Sequence, residues 1–218
     1  MRFTLIYNGL LPSGGSSAKN VSEKKWEVRA QFDPQLRRLW DEHPELNYLR
    51  KNSVVRKDGR YIIVQPHPSY PEAGHQGPLP EVAVPAGQLD LCQEIPKGTR
   101  RFFPLVRKTL ALTCGLRILF LRHEPRGRLL QSGDLDNRIK TLVDALGIPR
   151  DDAPYENESL KDPVFVLLED DSLVTAIDVR TERLLTPAAD AKNQVHLVIE
   201  VDVRVSQPRP FNMPFSGD

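Results

Sequence analysis

Residues 195–205 read VHLVIEVDVRV, in which Val195, Leu197, Ile199, Val201, Val203 and Val205 alternate with mostly polar residues. A period of two is the mark of a strand with one buried face, because successive side chains leave a strand on opposite sides. Such a strand needs a neighbour. LALTCGLRILFLR at 110–122 supplies one, with Leu110, Leu112, Cys114, Leu116, Ile118 and Phe120 at every second position. It reads as one strand, or as two with a bulge at Gly115, buried on one side and partly on both. RFTLIY at 2–7, YIIVQ at 61–65, VFVLLEDD and LVTAIDVR are further strand candidates.

Helical patterns lie among them. DPQLRRLWDEH predicts a helix with Asp33 as N-cap, Pro34 at the first helical position, and Leu36, Leu39 and Trp40 on its apolar face. DLDNRIKTLVDALG carries Ile139, Leu142, Val143 and Leu146 at i, i+3, i+4 and i+7, with Gly147 and Pro149 ending the pattern. That is a helix of about three turns with one buried face. Strands and helices mixed in this order predict an α+β fold, a mixed β-sheet packed with a few helices. A length of 218 residues suits a single domain over 1–218. Six prolines between 66 and 85 exclude an internal helix or central strand there, so 66–88 is expected to be an inserted loop anchored by Tyr70, Val82 and Val84. The tail 206–218 is expected to be frayed or docked on a partner.

No apolar run approaches about 18 residues, and MRFTLIYNGLLPSGG lacks the basic and apolar regions of a signal peptide, so no membrane span and a cytoplasmic location are expected. Cys92 and Cys114 have no metal-ligand spacing and the five histidines are scattered, which argues against zinc. The net charge of +1 conceals a polarity: residues 1–128 are basic and 129–218 acidic, and residues 97–128 hold nine bases against the single acid Glu124. A basic segment running into an acidic cluster suits a polyanion brought to metal-binding carboxylates; a solvated strand surface accounts for the charge equally well.

The acidic cluster is SGDLDNRIKTLVDALG, residues 132–147. One acid caps a helix, and Asp136 can do so; Asp134, two residues earlier, is surplus, and in an extended backbone it would point the same way as Asp136. Lys140 and Asp144 follow at successive turns. Two aligned carboxylates and a third from elsewhere would suit Mg²⁺, which takes hard oxygen donors and leaves positions for water and phosphate. Glu169, Asp170 and Asp171, between two strand candidates, are the second source. Taken alone, D-x-D before a helix is more often a cap, and EDD at a strand junction more often a solvated turn.

The two pieces together, Asp134, Leu135, Asp136, Asn137, Lys140, Asp144, Ala145 and Leu146, then Asp170, Asp171 and Val174, resemble the RusA family of Holliday junction resolvases. The resemblance implies a small homodimeric endonuclease that uses Mg²⁺ (or Mn²⁺) to make paired cuts in four-way DNA junctions during recombination and repair. It implies that Asp134, Asp136 and Asp171 are the metal-binding catalytic acids, with Asp170 beside them, and Lys140 the catalytic lysine. Arg122, Arg126 and Arg128 of the preceding basic loop, with Arg138, would grip DNA phosphates. The chain departs from the family in its length, its Pro-rich stretch and the long connection GIPRDDAPYENESLKDP. That connection has its own pair, Asp151 and Asp152, set aside because no β pattern follows them. Whether Asp170 or Asp171 is the third ligand stays open. A related nuclease for other branched or phage DNA, and a non-catalytic DNA-binding adaptor of the same fold, are the competing readings.

Overall fold

A computed structural model describes residues 1–11, 18–57, 60–66, 89–123, 134–150, 160–185, 194–209 and 211–216. In chain order the elements are β1 (Arg2–Leu10), α1 (Ala18–Glu42), α2 (Pro44–Lys51), β2 (Asn52–Lys57), β3 (Arg60–Pro66), β4 (Leu89–Asp90), β5 (Ile95–Lys97), β6 (Arg100–Val106), β7 (Leu112–Arg122), α3 (Asp134–Leu146), β8 (Val164–Leu168), β9 (Val174–Arg183) and β10 (Gln194–Val205), with 3-10 turns at Asp171–Leu173 and Met213–Phe215. The fold is α+β, as the patterns predict.

The two alternating segments pair with each other. β10 lies between β1 and β7, antiparallel to both, and β9 joins β7 in parallel, giving the order β1-β10-β7-β9. Every inward residue of β10 from Val195 to Val203 is buried, facing Leu5 and Tyr7 of β1 and Leu116, Ile118 and Phe120 of β7. At the expected bulge position the β7–β9 register shifts between Cys114 and Gly115. A side chain at Gly115 would bring its Cβ to 3.3 Å from the Arg204 guanidinium on the neighbouring strand, which would have to shift by a few tenths of an ångström.

A second sheet, β5-β6-β8, pairs β6 and β8 in parallel. All five residues of β8 are buried, which is why VFVLL reads as a continuous apolar run rather than an alternation. The third sheet is β3-β2-β4, of which YIIVQ forms part. The Pro-rich stretch from 67 to 88 lies outside the described residues.

α1 overturns the expected helix start. It begins at Ala18 and runs through Pro34 to Glu42, so Pro34 is internal and Asp33 caps nothing. Val28, Phe32, Leu36 and Trp40, spaced by four, form a buried stripe that crosses the proline. Trp40 packs edge-on against Phe103 of β6, with ring centroids 4.7 Å apart. Asp33 is buried and faces β8, where it accepts a 2.7 Å hydrogen bond from the Phe165 N–H and a 3.0 Å bond from Arg37. The tail differs too: Phe215 and Asn212 are fully buried against the chain's own core, and the Asn212 amide donates to the Leu110 carbonyl at 2.9 Å.

The outer edge of β1 is covered by side chains of α1. Gln35 accepts from the Ile6 N–H at 2.9 Å and donates to the Ile6 carbonyl at 2.7 Å, and Gln31 does the same for Asn8 at 3.2 and 3.1 Å. Each amide acts as one residue of an absent neighbouring strand. Because these bonds are solvent-exposed, Gln35→Ala is expected to cost only about 1 kcal/mol. The same substitution should speed hydrogen exchange at the Ile6 amide while leaving the β10 amides protected.

Two core groups predict alkaline sensitivity. Burial pushes the Tyr7 hydroxyl up to about 12, with Glu27 adding to the shift, and burial also pushes the Cys114 thiol up to about 12. Both neutral forms are favoured in the folded state, so their contribution is intact below pH 9 and is lost as pH rises from 9 through 12. Urea midpoints should fall over that range. Tyr7→Phe should flatten the decline above pH 10, leaving the thiol's share in place.

Candidate active site

β8 ends where α3 ends. Gly147 forms a parallel bridge with Leu168, and the Ile148 N–H donates to the Leu168 carbonyl at 3.2 Å. From this joint two segments diverge, Ile148-Pro149-Arg150 and Glu169-Asp170-Asp171. Together with one face of α1 and the last turns of α3 they line a cleft of about 380 Å³. Its charged lining consists of Asp144, Glu169, Asp170 and Asp171 and of Lys25, Arg29, Lys140 and Arg150.

Each acid in the cleft has a defined partner. The Lys25 ammonium lies 2.8 Å from Asp144. Glu169 accepts from the Lys108 N–H at 2.8 Å, and its own N–H extends the sheet by donating to the Val106 carbonyl. Asp170 caps the 3-10 turn by accepting from the Ser172 N–H at 2.9 Å, and the Ser172 side chain first, then this backbone bond and the charges of Lys108 and Arg150, hold its carboxyl below the usual range. Asp171 pairs with Arg150. Lys140 lines the cleft with its side chain exposed and makes no hydrogen bond or ion pair among the described residues.

Arg29 closes the floor. Buried beside Trp26, whose ring centroid is 4.9 Å away, it donates to the carbonyls of Gly147 at 3.0 Å and Asp144 at 2.8 Å. These are among the carbonyls that the C-terminus of α3 leaves without helical partners, so the guanidinium acts as a C-cap. Burial brings its pKa down to about 10, although the Asp144 charge opposes the shift.

The motif halves predicted from sequence therefore meet in part. Lys140, Asp144, Asp170 and Asp171 share the cleft, and EDD ends β8 and leads into β9 through a 3-10 turn. The D-x-D half differs from the expectation. α3 begins at Asp134, so Asp136 is the third helical residue rather than a cap. Residues two apart in a helix point about 200° apart, so an extended alignment of the two carboxylates does not hold. Asp136 is exposed and does not line the cleft; the side chain of Asp134 lies outside the described residues. Among the described residues no group of three metal-ligating side chains converges. The donor chemistry suits Mg²⁺, since Asp170, partly exposed, and Asp171, exposed, are hard-oxygen donors, but as a ligand set they are incomplete.

Of the expected DNA-gripping arginines, Arg126 and Arg128 lie outside the described residues. Arg122 and Arg138 are 6% and 3% exposed, so neither presents a surface to a phosphate. Sequence reasoning missed Lys25, Arg29 and Arg150. The four-residue spacing of Val28, Phe32, Leu36 and Trp40 would have extended the first helix and brought Lys25 and Arg29 into view. Arg150 carried no such signal.

No protein-family model matches the chain, nor does any curated protein or solved structure. Fold and site thus define an α+β protein with a charged cleft at the junction of a helix C-terminus and a strand end. No helix among the described residues is long and apolar enough to cross a membrane.

Proposed function

We propose that this chain is a Mg²⁺-dependent, structure-selective DNA endonuclease of the RusA type, cutting four-way junctions as a homodimer. The observation that carries the reading is that Lys140 and Asp144 line the same cleft as Asp170 and Asp171, although some 25 residues separate the two pieces. A site for phosphodiester hydrolysis needs carboxylates for a cation and free positive charge for the phosphate, and this cleft has both. Asp170 and Asp171 would contribute carboxylates to the ion. When bound, the ion would supply a hydroxide near neutral pH and polarise the phosphate. Lys140, with no protein partner among the described residues, would neutralise charge gathering on the phosphoryl oxygens. Two copies about a twofold axis would match the symmetry of a junction and cut it in pairs.

The test is incubation of the purified protein with a labelled mobile four-way junction, with flap, duplex and single-stranded DNA in parallel, with and without Mg²⁺. Paired, Mg²⁺-dependent nicks on the junction support the reading. Cutting confined to flaps points to a nuclease of other branched DNA, and binding without any nick points to an adaptor.

A further inference from the structure

We infer that β9 is a dimerisation edge: β9 of a second copy of this chain pairs with it antiparallel about a twofold axis at Val179, joining two four-stranded sheets into one. The inference rests on the homodimer in the reading above and names the surface that forms it.

The sheet β1-β10-β7-β9 treats its two edges differently. Gln31 and Gln35 satisfy the backbone along the β1 edge, whereas no described residue does so along β9 from Val174 to Thr181. β9 runs for ten residues, and an unpaired edge of that length is a template for another strand unless something blunts it. Thr175, Ala176, Ile177 and Asp178 are exposed in succession, so both faces of the strand are open there as well as its edge.

One of those faces is apolar. The register sets Ile177, Val179 and Thr181 beside Leu116, Ile118 and Phe120 of β7, on the core side of the sheet. The three β7 residues are buried, yet Ile177 is 46% exposed. The core face therefore extends one strand further than its cover.

Charge selects the partner and the register. Asp178, Arg180 and Glu182 alternate in sign on the opposite face. Directly opposed residues of an antiparallel pair point to the same face, so a twofold axis through the sheet must pass at a residue. Placed at Asp178 or Arg180, it sets that residue against its own copy, like charge against like. Placed at Thr181, it opposes arginine to Glu182 but engages Val179–Arg183 alone, half of β9. At Val179 it opposes Asp178 to Arg180 of the second copy, twice over, and engages every residue from Thr175 to Arg183. Ile177 then lies opposite Thr181 and diagonal to Val179 of the second copy, within reach of both. The groups needed can be recruited: Asp178 has no ion pair or hydrogen bond among the described residues, and Arg180, its side chain 78% exposed, pairs with Glu182 two residues along at 3.2 Å. An alternation that matches itself in this way points to a second copy rather than to a strand of another protein. Because the turn at Asp171–Leu173 feeds β9, the pairing also sets two clefts about one axis, as paired cutting requires.

The experiment is sedimentation velocity on the full chain over a concentration series, without DNA or metal. Wild type should show a monomer–dimer equilibrium, and the outward amides of β9 should gain hydrogen-exchange protection as concentration rises. Asp178→Arg and Arg180→Asp, each at an exposed position, should each weaken dimerisation by about tenfold or more, since each creates two like-charge pairs. The double exchange, Asp178→Arg with Arg180→Asp, should restore it, and so should mixing the two single variants, whose strands are complementary. A monomer at every concentration, a dimer indifferent to both single reversals, or reversals that neither the double exchange nor the mixture repairs each overturns the proposal. A dimer indifferent to the reversals that still makes Mg²⁺-dependent paired nicks leaves the nuclease reading standing without this surface. A dimer that follows the charge pattern but nicks no DNA keeps the surface, and the nuclease reading falls.

Discussion

Replacing Asp33 by alanine is expected to destabilise the protein by about 3 kcal/mol, read as a fall in the urea midpoint. The carboxylate is buried in the middle of α1 and accepts from the Phe165 N–H of β8 at 2.7 Å and from Arg37 at 3.0 Å. Truncation would strand the N–H beside a strand buried along its whole length. It would also leave Arg37, stacked 4.3 Å from the Phe165 ring centroid, without its anion. Asp33→Asn separates the two losses. Its amide oxygen can still accept from Phe165, so only the charge interaction with a partly exposed arginine disappears, at a cost of about 1 kcal/mol. Equal costs for the two variants would show that the β8 hydrogen bond carries none of the effect. The position bears on function because β8 delivers Glu169, Asp170 and Asp171 to the cleft.

If the chain is the nuclease proposed above, Asp171→Asn is expected to lower Mg²⁺-dependent junction cleavage by on the order of 10² to 10³ while the protein remains folded and keeps whatever DNA affinity the wild type has. The carboxylate is exposed and its partner Arg150 is itself on the surface, so its loss leaves no buried charge behind. Single-turnover cleavage of a labelled junction separates this effect from binding. Wild-type turnover in Asp171→Asn would remove Asp171 from the chemistry. Asp136→Asn is the informative companion, because the family resemblance makes Asp136 a metal acid whereas α3 sets it one turn, about 6 Å, beyond Lys140 along the helix axis. An equal loss in that variant would put the metal towards the start of α3. A small loss would confine it to the mouth formed by Asp170, Asp171 and Arg150.

Much of the fold was legible because side-chain periodicity records burial directly. The alternation in β7 and β10, the bulge near Gly115 and the apolar face of α3 each follow from which residues must leave water. The first helix was misread for an equally physical reason. Proline lacks an N–H and favours the first turn, so Asp33-Pro34 resembles a start, yet the apolar stripe from Val28 to Trp40 runs through it and packing outweighs the local preference. In the same way Arg122 and Arg138 read as surface charges because composition cannot tell which basic side chains a fold will bury.

The sequence by itself determined the α+β class, the helix that carries Lys140 and Asp144, and the strand junction that carries Asp170 and Asp171. Those features depend on neighbours in the chain. Only the tertiary structure decided that both pieces open onto one cleft, that Arg29 from α1 caps α3, and that Arg150 meets Asp171. These contacts join residues from about 20 to more than 100 positions apart, and no local pattern encodes them. They arise because β8 is buried between α1 and the rest of the core, and burying it brings the end of α3, the start of β9 and one face of α1 to the same place.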